Sequence, residues 1–406
     1  MWTDALGNAL TLDDPASLPA VNDFVEGFIA CEARAVNVLD AARHDHSPIV
    51  QACAAAVHMF AESPEAPANA RPFLDLALAG AQRITGRERR FIHAIEAWAA
   101  SDIPRTIALL EEQVAEHPRD LASVKLAQYH LFNRGDSPGM LSVAQAALPA
   151  AANVPYLHGM LAFGFEQCHR FAQAEAAARH AIGMRRKEPW AHHALAHVML
   201  TQGRVREGHA FMRDVSDTWT GLNSFMVTHN WWHQALFALE TGDAGEALEL
   251  YDTQVWGVAK DYSQDQVNAV SLLARIELAG AEVGDRWQDV AQYLAPRVDD
   301  HVLPFLDMHY LYGLARAGRD EADTLMAGIE AFARSAPVHS RATWTDVCLP
   351  ACRGLLAHAR GRHAAAAEAM AQALPRLEEI GGSHAQRDLF VRIQRDAAAR
   401  RQVHGP

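Results

Sequence analysis

The chain is poor in the features from which function is most often read. Its 406 residues hold five cysteines, Cys31, Cys53, Cys168, Cys348 and Cys352, with no CxxC among them. An odd count without a pairing framework excludes a disulfide scaffold and fits thiols kept reduced in a cytoplasmic setting. Cys348 and Cys352 stand one helical turn apart, but zinc knuckles use closer spacing. Basic residues are outnumbered: 36 Lys and Arg face 49 Asp and Glu, a formal net charge of -13. That balance argues against nucleic acid or an anionic membrane as partner. No apolar run approaches the length of a membrane span, and the first residues lack the basic and apolar regions of a signal peptide. A cytoplasmic protein is the expectation. There is no P-loop, dinucleotide fingerprint, GxSxG elbow or EF-hand loop. Period-2 alternation bounded by hairpin turns is also missing.

What is present is helix-forming. Half the residues are hydrophobic and only 21% charged; alanine dominates, and β-branched runs are few. From Val21 a helical period places Phe24, Phe28, Cys31 and Ala35 on one face. Ser47 stands where it would cap a helix beginning at Pro48, although Val50 leaves the capping box incomplete. A helix through Phe73–Ile84 is expected to stop at Gly86, and Glu88–Ala100 pairs with Ile103–His117. Pro155-Tyr156 recurs as Pro189-Trp190 after one 34-residue period, with small residues at Ala174, Ala177, Ala178 and Ala181 between. That is the tetratricopeptide plan. The expected fold is all-α, a right-handed α-solenoid of antiparallel helix pairs. Residues 1–20 would be an arm and 21–150 the N-terminal helical pairs. Residues 151–398 would continue the same solenoid as tetratricopeptide-like repeats, leaving 399–406 as a tail.

Chemistry concentrates in three places. The first is two His-x3-His pairs, His193/His197 and His229/His233, each placing two rings on one helical face. Trp190 and Trp232 share those faces. Four imidazoles on neighbouring inner helices suit a divalent, zinc-like ion, or a proton-transfer site flanked by indoles. Simple packing at helix crossings accounts for the spacing equally well, because the Glu of HExxH is missing. The second is a polar stripe after Asp265, formed by Asn268, Ser271 and Arg275. Arg275 there suits an anion or an interhelix ion pair to Asp252 or Glu277. The third is Gly381-Gly-Ser-His-Ala-Gln-Arg-Asp388. Gly381 ends one helix, while Ser383 and Gln386 make the capping box of the next. His384, Arg387 and Asp388 then remain as a candidate site edge at a helix start. His309 and His158 are lone candidates that the helical period turns inward.

Several strings resemble the tetratricopeptide repeat protein 38 family: Tyr156-Leu-His-Gly-Met160, Trp190-Ala-His-His193, His229-Asn-Trp-Trp-His233, Ser271-Leu-Leu-Ala-Arg275, Gly284-Asp-Arg-Trp287 and Gly382-Ser-His-Ala-Gln-Arg-Asp388. The resemblance runs from about Phe24 to Phe390 and implies a helical-repeat fold, with no general activity attached. The leading functional expectation is a concave pocket for a small polar molecule. His193, His197, His229, His233 and His384 would act there in hydrolysis or proton transfer, with or without a metal. Trp190, Trp232, His158, Asp265, Arg275, His309, Arg387 and Asp388 would bind the substrate. The alternative is a non-catalytic adaptor that takes a peptide or partner protein in its groove. A homodimer is compatible with either.

Overall fold

The computed structural model describes residues 2–403; Met1 and the last three residues of the expected tail lie outside the described residues. The described chain is all-α, built from antiparallel helix pairs of the tetratricopeptide kind, with one two-stranded hairpin at its start. The hairpin pairs Trp2–Thr3 with Ala9–Leu10. At two residues per strand it has no alternation for the sequence to display. It is held by Asp4, whose carboxylate accepts the backbone N–H groups of Leu6 (3.0 Å) and Asn8 (2.8 Å). Arg119 donates to the Leu6 carbonyl (2.8 Å) and ties the segment down.

The pair Pro155–Gln167 and Phe171–Met184 shows how the sequence makes a unit. Proline opens the first helix, where its missing N–H would have had no partner in any case. Ala174, Ala178 and Ala181 are fully buried, so the second helix approaches closely, while Ala177 is half-buried. Between the helices His169 takes a left-handed φ of 56°.

That left-handed position recurs down the chain. Ser101, Gly135, Gly203, Gly242, Gly280, Gly318 and Gly361 all have positive φ, each just after a helix that ends a pair's first half. At three of these turns an aspartate follows and caps the next helix. Asp102 accepts from Arg105 N (3.1 Å), Asp136 from Gly139 N (2.8 Å) and Asp243 from Glu246 N (2.8 Å). No heavy atom lies within 4 Å of where a Cβ would stand on Gly242. Backbone strain, about 1–2 kcal/mol for a residue with a side chain, is therefore the whole expected effect of Gly242→Ala. The urea midpoint should fall by the equivalent of about 1 kcal/mol; an unchanged midpoint would refute a left-handed turn there.

Two local expectations are corrected. Gly86 opens a helix, Gly86–Ala99, instead of ending one. Thr85 and Glu88 form a complete capping box, which overrides the tendency of glycine to stop a helix. The preceding helix, Ala66–Ala79, ends before a short 3-10 turn at Ala81–Arg83. Pro48 does begin the helix Pro48–Met59, but the Ser47 hydroxyl donates to Asp45 (2.6 Å) and does not cap it.

The chain divides into two compact units. The first runs up to Phe132 and adds Asp136–Val198 and Met212–Met226; the second takes Asn133–Gly135, Met199–Phe211 and the described residues from Val227 onward. His193 and His197 belong to the first, and His229 and His233 to the second.

Candidate functional site

In the first unit, His193 and His197 lie on the helix Pro189–Thr201, whose start is unusual. Glu188 caps it with its side chain, accepting the N–H of Ala191. Burial pushes that carboxyl up to about 8. Gly159 faces the carboxylate, and a Cβ on it would stand 2.8 Å away, so glycine is required for the close approach. Four residues apart on the helix, the His193 and His197 rings meet edge-on, with Nε2 atoms 2.9 Å apart. Two imidazole nitrogens at that distance share either a proton or an ion. Glu166 Oε2 faces His197 Nδ1 at 3.6 Å. Phe163 and Trp190 pack against His193, at ring centroid distances of 5.0 and 4.6 Å. Lys125 stands 4.1 Å from the Trp190 ring centroid. The intervening His192 accepts from the Trp219 indole (3.2 Å), and burial pushes its pKa down to about 4.

In the second unit the helix Ser224–Glu240 carries His229 and His233. The His229 ring stacks on Trp232 at 5.0 Å and 10°, and His233 stands edge-on to both. A directed chain of hydrogen bonds leaves His229. Its Nδ1 lies 2.9 Å from Asn268 Oδ1, Asn268 Nδ2 donates to Thr228 Oγ1 (3.2 Å), and that hydroxyl donates to Asp265 (2.5 Å). The order is self-consistent only one way. Asp265 must accept, so Thr228 donates to it and accepts from the Asn268 amide; the Asn268 oxygen then faces His229. The His229 proton therefore sits on Nδ1, and its lone pair on Nε2.

Beside Trp232, Arg275 lies over the indole at 5.6 Å. It donates to Asp388 (3.1 Å) and to the Ala385 carbonyl (2.5 Å). Neither expected ion-pair partner is used: Asp252 holds Arg286 and Glu277 holds Arg316. Burial lowers the Arg275 pKa to about 10, against the pull of Asp388. Thus Asp388, Arg275, Trp232, His229, Asn268, Thr228 and Asp265 form one continuous run within the second unit. The capping box of Ser383 and Gln386 is present, with Ser383 N donating to Gln386 (2.8 Å) and Gln386 N to Ser383 (3.3 Å). Arg387 donates to the Gly382 carbonyl and lies 3.2 Å from His384 Nδ1, bracing the two-glycine turn. His309 Nδ1 donates to the Phe305 carbonyl (2.7 Å), and burial pushes its pKa down to about 4. His158 stands apart from these groups in the first unit, engaged with the Ala152 carbonyl (2.8 Å) and the His180 ring.

Sequence reading passed over Thr228, which links Asp265 to the Asn268 partner of His229, and Glu166, whose carboxylate lies 3.6 Å from His197. It also passed over a buried pair, His301 with Asp307 (2.7 Å). Burial raises Asp307 to about 6, while that aspartate outweighs burial and raises His301. Only the His-x3-His spacing was a usable signal; these partners sit at spacings that no single-helix rule links.

No family model matches the chain. Among solved structures it is similar to the TPR domain of P58(IPK), at 9% identity over 79% of this chain and 100% of that one. The TM-score is 0.23, and the fold class rests on the helix pairs themselves. No helix of the described residues is long and apolar enough to cross a membrane.

Proposed function

We propose that the protein is a non-enzymatic helical-repeat binding protein for a peptide or partner protein, acting in the cytoplasm. In this reading each buried His-x3-His pair, His193/His197 in the first unit and His229/His233 in the second, supplies ligands for a structural divalent ion, zinc by ligand type. The observation that carries the metal reading is the hydrogen-bond chain from Asp265 to His229. An outer partner on Nδ1 that turns the Nε2 lone pair inward is the usual support of a metal-ligating imidazole. All four rings are at most 2% exposed. A dissolved substrate does not reach groups so buried, whereas an ion needs no large cavity. The partner reading rests on analogy with helical repeats as a class. The quoted strings keep the tetratricopeptide repeat protein 38 family as the finer proposal of kinship.

Elemental analysis with thermal denaturation tests the metal. The purified chain should carry zinc, and chelator should remove stability on the order of 4 kcal/mol if the ion is held at 1,000 times its Kd. His197→Ala and His229→Ala should each lose one equivalent of metal. Full metal content in both variants would overturn the ligand assignment. Failure to capture a peptide or protein partner, while a small metabolite stabilises the chain, would favour a pocket instead.

A further inference from the structure

A second group of ligand-type side chains lies wholly within the second unit and takes no part in the run described above. His358 is in the last turn of the helix Leu349–Ala359, and His363 is the first residue of His363–Ala373. Asp396 comes from the C-terminal helix His384–Val403. The left-handed Gly361 turn between the two histidines brings them to one end of their helix pair. One donor atom from each of the three residues lies within 4.8 Å of the others.

We infer that His358, His363 and Asp396 form a second divalent-metal site, a two-histidine, one-carboxylate set for a zinc-class ion with positions left open to water. Three observations carry it. First, His358 Nε2 and Asp396 Oδ2 are 2.9 Å apart, already close to the spacing of neighbouring ligands on one ion. Second, His363 Nδ1 is a buried nitrogen with no hydrogen-bond partner among the described residues. A buried polar atom left unsatisfied is rare enough to need an explanation, and a small rotation of His363 toward an ion at about 2.0–2.1 Å supplies one. Third, Tyr312 OH lies 3.1 Å from His358 Nδ1. A phenol both donates and accepts. It donates to Nδ1 while Nε2–H faces Asp396, and it accepts from Nδ1–H when Nε2 gives its lone pair to an ion. His358 thus has an outer partner for either tautomer.

One group competes. Arg400 pairs with Asp396 at 2.9 Å, but its side chain is 57% exposed and can swing into solvent. The site therefore exchanges an arginine for a cation, which yields a test that a packing role does not pass.

The full chain, stripped with chelator, is titrated with zinc by calorimetry and with cobalt by visible absorption. Wild type should bind one equivalent more than His363→Ala. Asp396→Asn should weaken that equivalent at least tenfold, and Arg400→Ala should tighten it. His363→Ala should leave the melting midpoint of the stripped protein nearly unchanged, because the residue is only half-buried. Equal stoichiometry and affinity in wild type and His363→Ala would overturn the inference, as would an Arg400→Ala chain with unaltered affinity. The His197→Ala and His229→Ala chains separate this site from the first. Loss of an equivalent there but not in His363→Ala would leave the earlier proposal standing and this one refuted.

Discussion

Acidification from pH 7 to pH 4 is expected to unfold the protein through its buried neutral histidines. Burial pushes His130 down to about 3 and both His192 and His309 to about 4, from an ordinary value of 6.5. The sign follows from proton counting. Below pH 6.5 the unfolded chain takes up a proton at each of these three residues, and the folded chain takes up none until its depressed pKa is reached. Their contribution is present above pH 6.5 and is lost as pH falls toward 4. Each net proton is worth about 1.4 kcal/mol per pH unit. Two carboxyls work the other way. Glu188, raised to about 8, and Asp307, raised to about 6, are more readily protonated when folded and favour the fold as pH drops. They offset part of the three histidine protons and leave roughly one net proton favouring the unfolded chain between pH 6 and 4. Stability should therefore fall by about 1–2 kcal/mol per pH unit in that window. Urea denaturation at pH 7, 6, 5 and 4 measures the slope. His130→Phe should flatten it by about one proton, since that ring packs edge-on against Trp98 and Tyr129. A slope of zero, or one unaltered in His130→Phe, would show that these histidines are not neutral in the folded protein.

Removal of the Arg275 guanidinium is the second large effect expected. Its side chain is 4% exposed. Its loss strips the Ala385 carbonyl of a donor and uncovers the face of the fully buried Trp232. Asp388 keeps Arg392 as a partner (2.5 Å) and remains paired. The loss is therefore that of a charged hydrogen-bond fork and of packing, not of an orphaned carboxylate. Breaking a buried pair costs about 3–5 kcal/mol, and the retained Arg392 places Arg275→Met near the lower end. Arg275→Lys should recover less than half, because an ammonium does not reach a carboxylate and a carbonyl with one planar fork. Asp388→Asn should cost about 1 kcal/mol, its carboxylate being 37% exposed and screened. Equilibrium denaturation decides the order. A fully stable Arg275→Met would mean that the guanidinium braces nothing and is held for an anion.

The same residue shows how far sequence reading reaches. Periodicity put Arg275 on one face with Asn268, and both are buried in the structure. It could not find Asp388, 113 positions away, because no rule of helical spacing spans separate helices. Asp252 and Glu277 were nearer along the chain and chemically suitable, yet each serves another arginine. The capping box at Ser383 and Gln386 was legible because its whole physics lies within four residues. The His-x3-His pairs were legible for the same reason. What sets the His229 proton was not: the Thr228 link is a hydroxyl like any other until Asp265 is placed beside it. The two-strand hairpin escaped because its pairing is shorter than any pattern that could announce it.

The glycine turns carry one more consequence. At Gly203, Gly242, Gly280, Gly318 and Gly361 the space around the missing side chain is open to 4 Å. At each of these bends a Cβ on the glycine would meet no other atom. Such bends are natural splice points: extra chain entering at Gly242 lengthens a loop at small entropic cost and leaves the flanking helices as they were. A short epitope or a fluorescent domain grafted there would report on the intact protein, and duplication of a pair at these joints would extend the array without redesigning its interior.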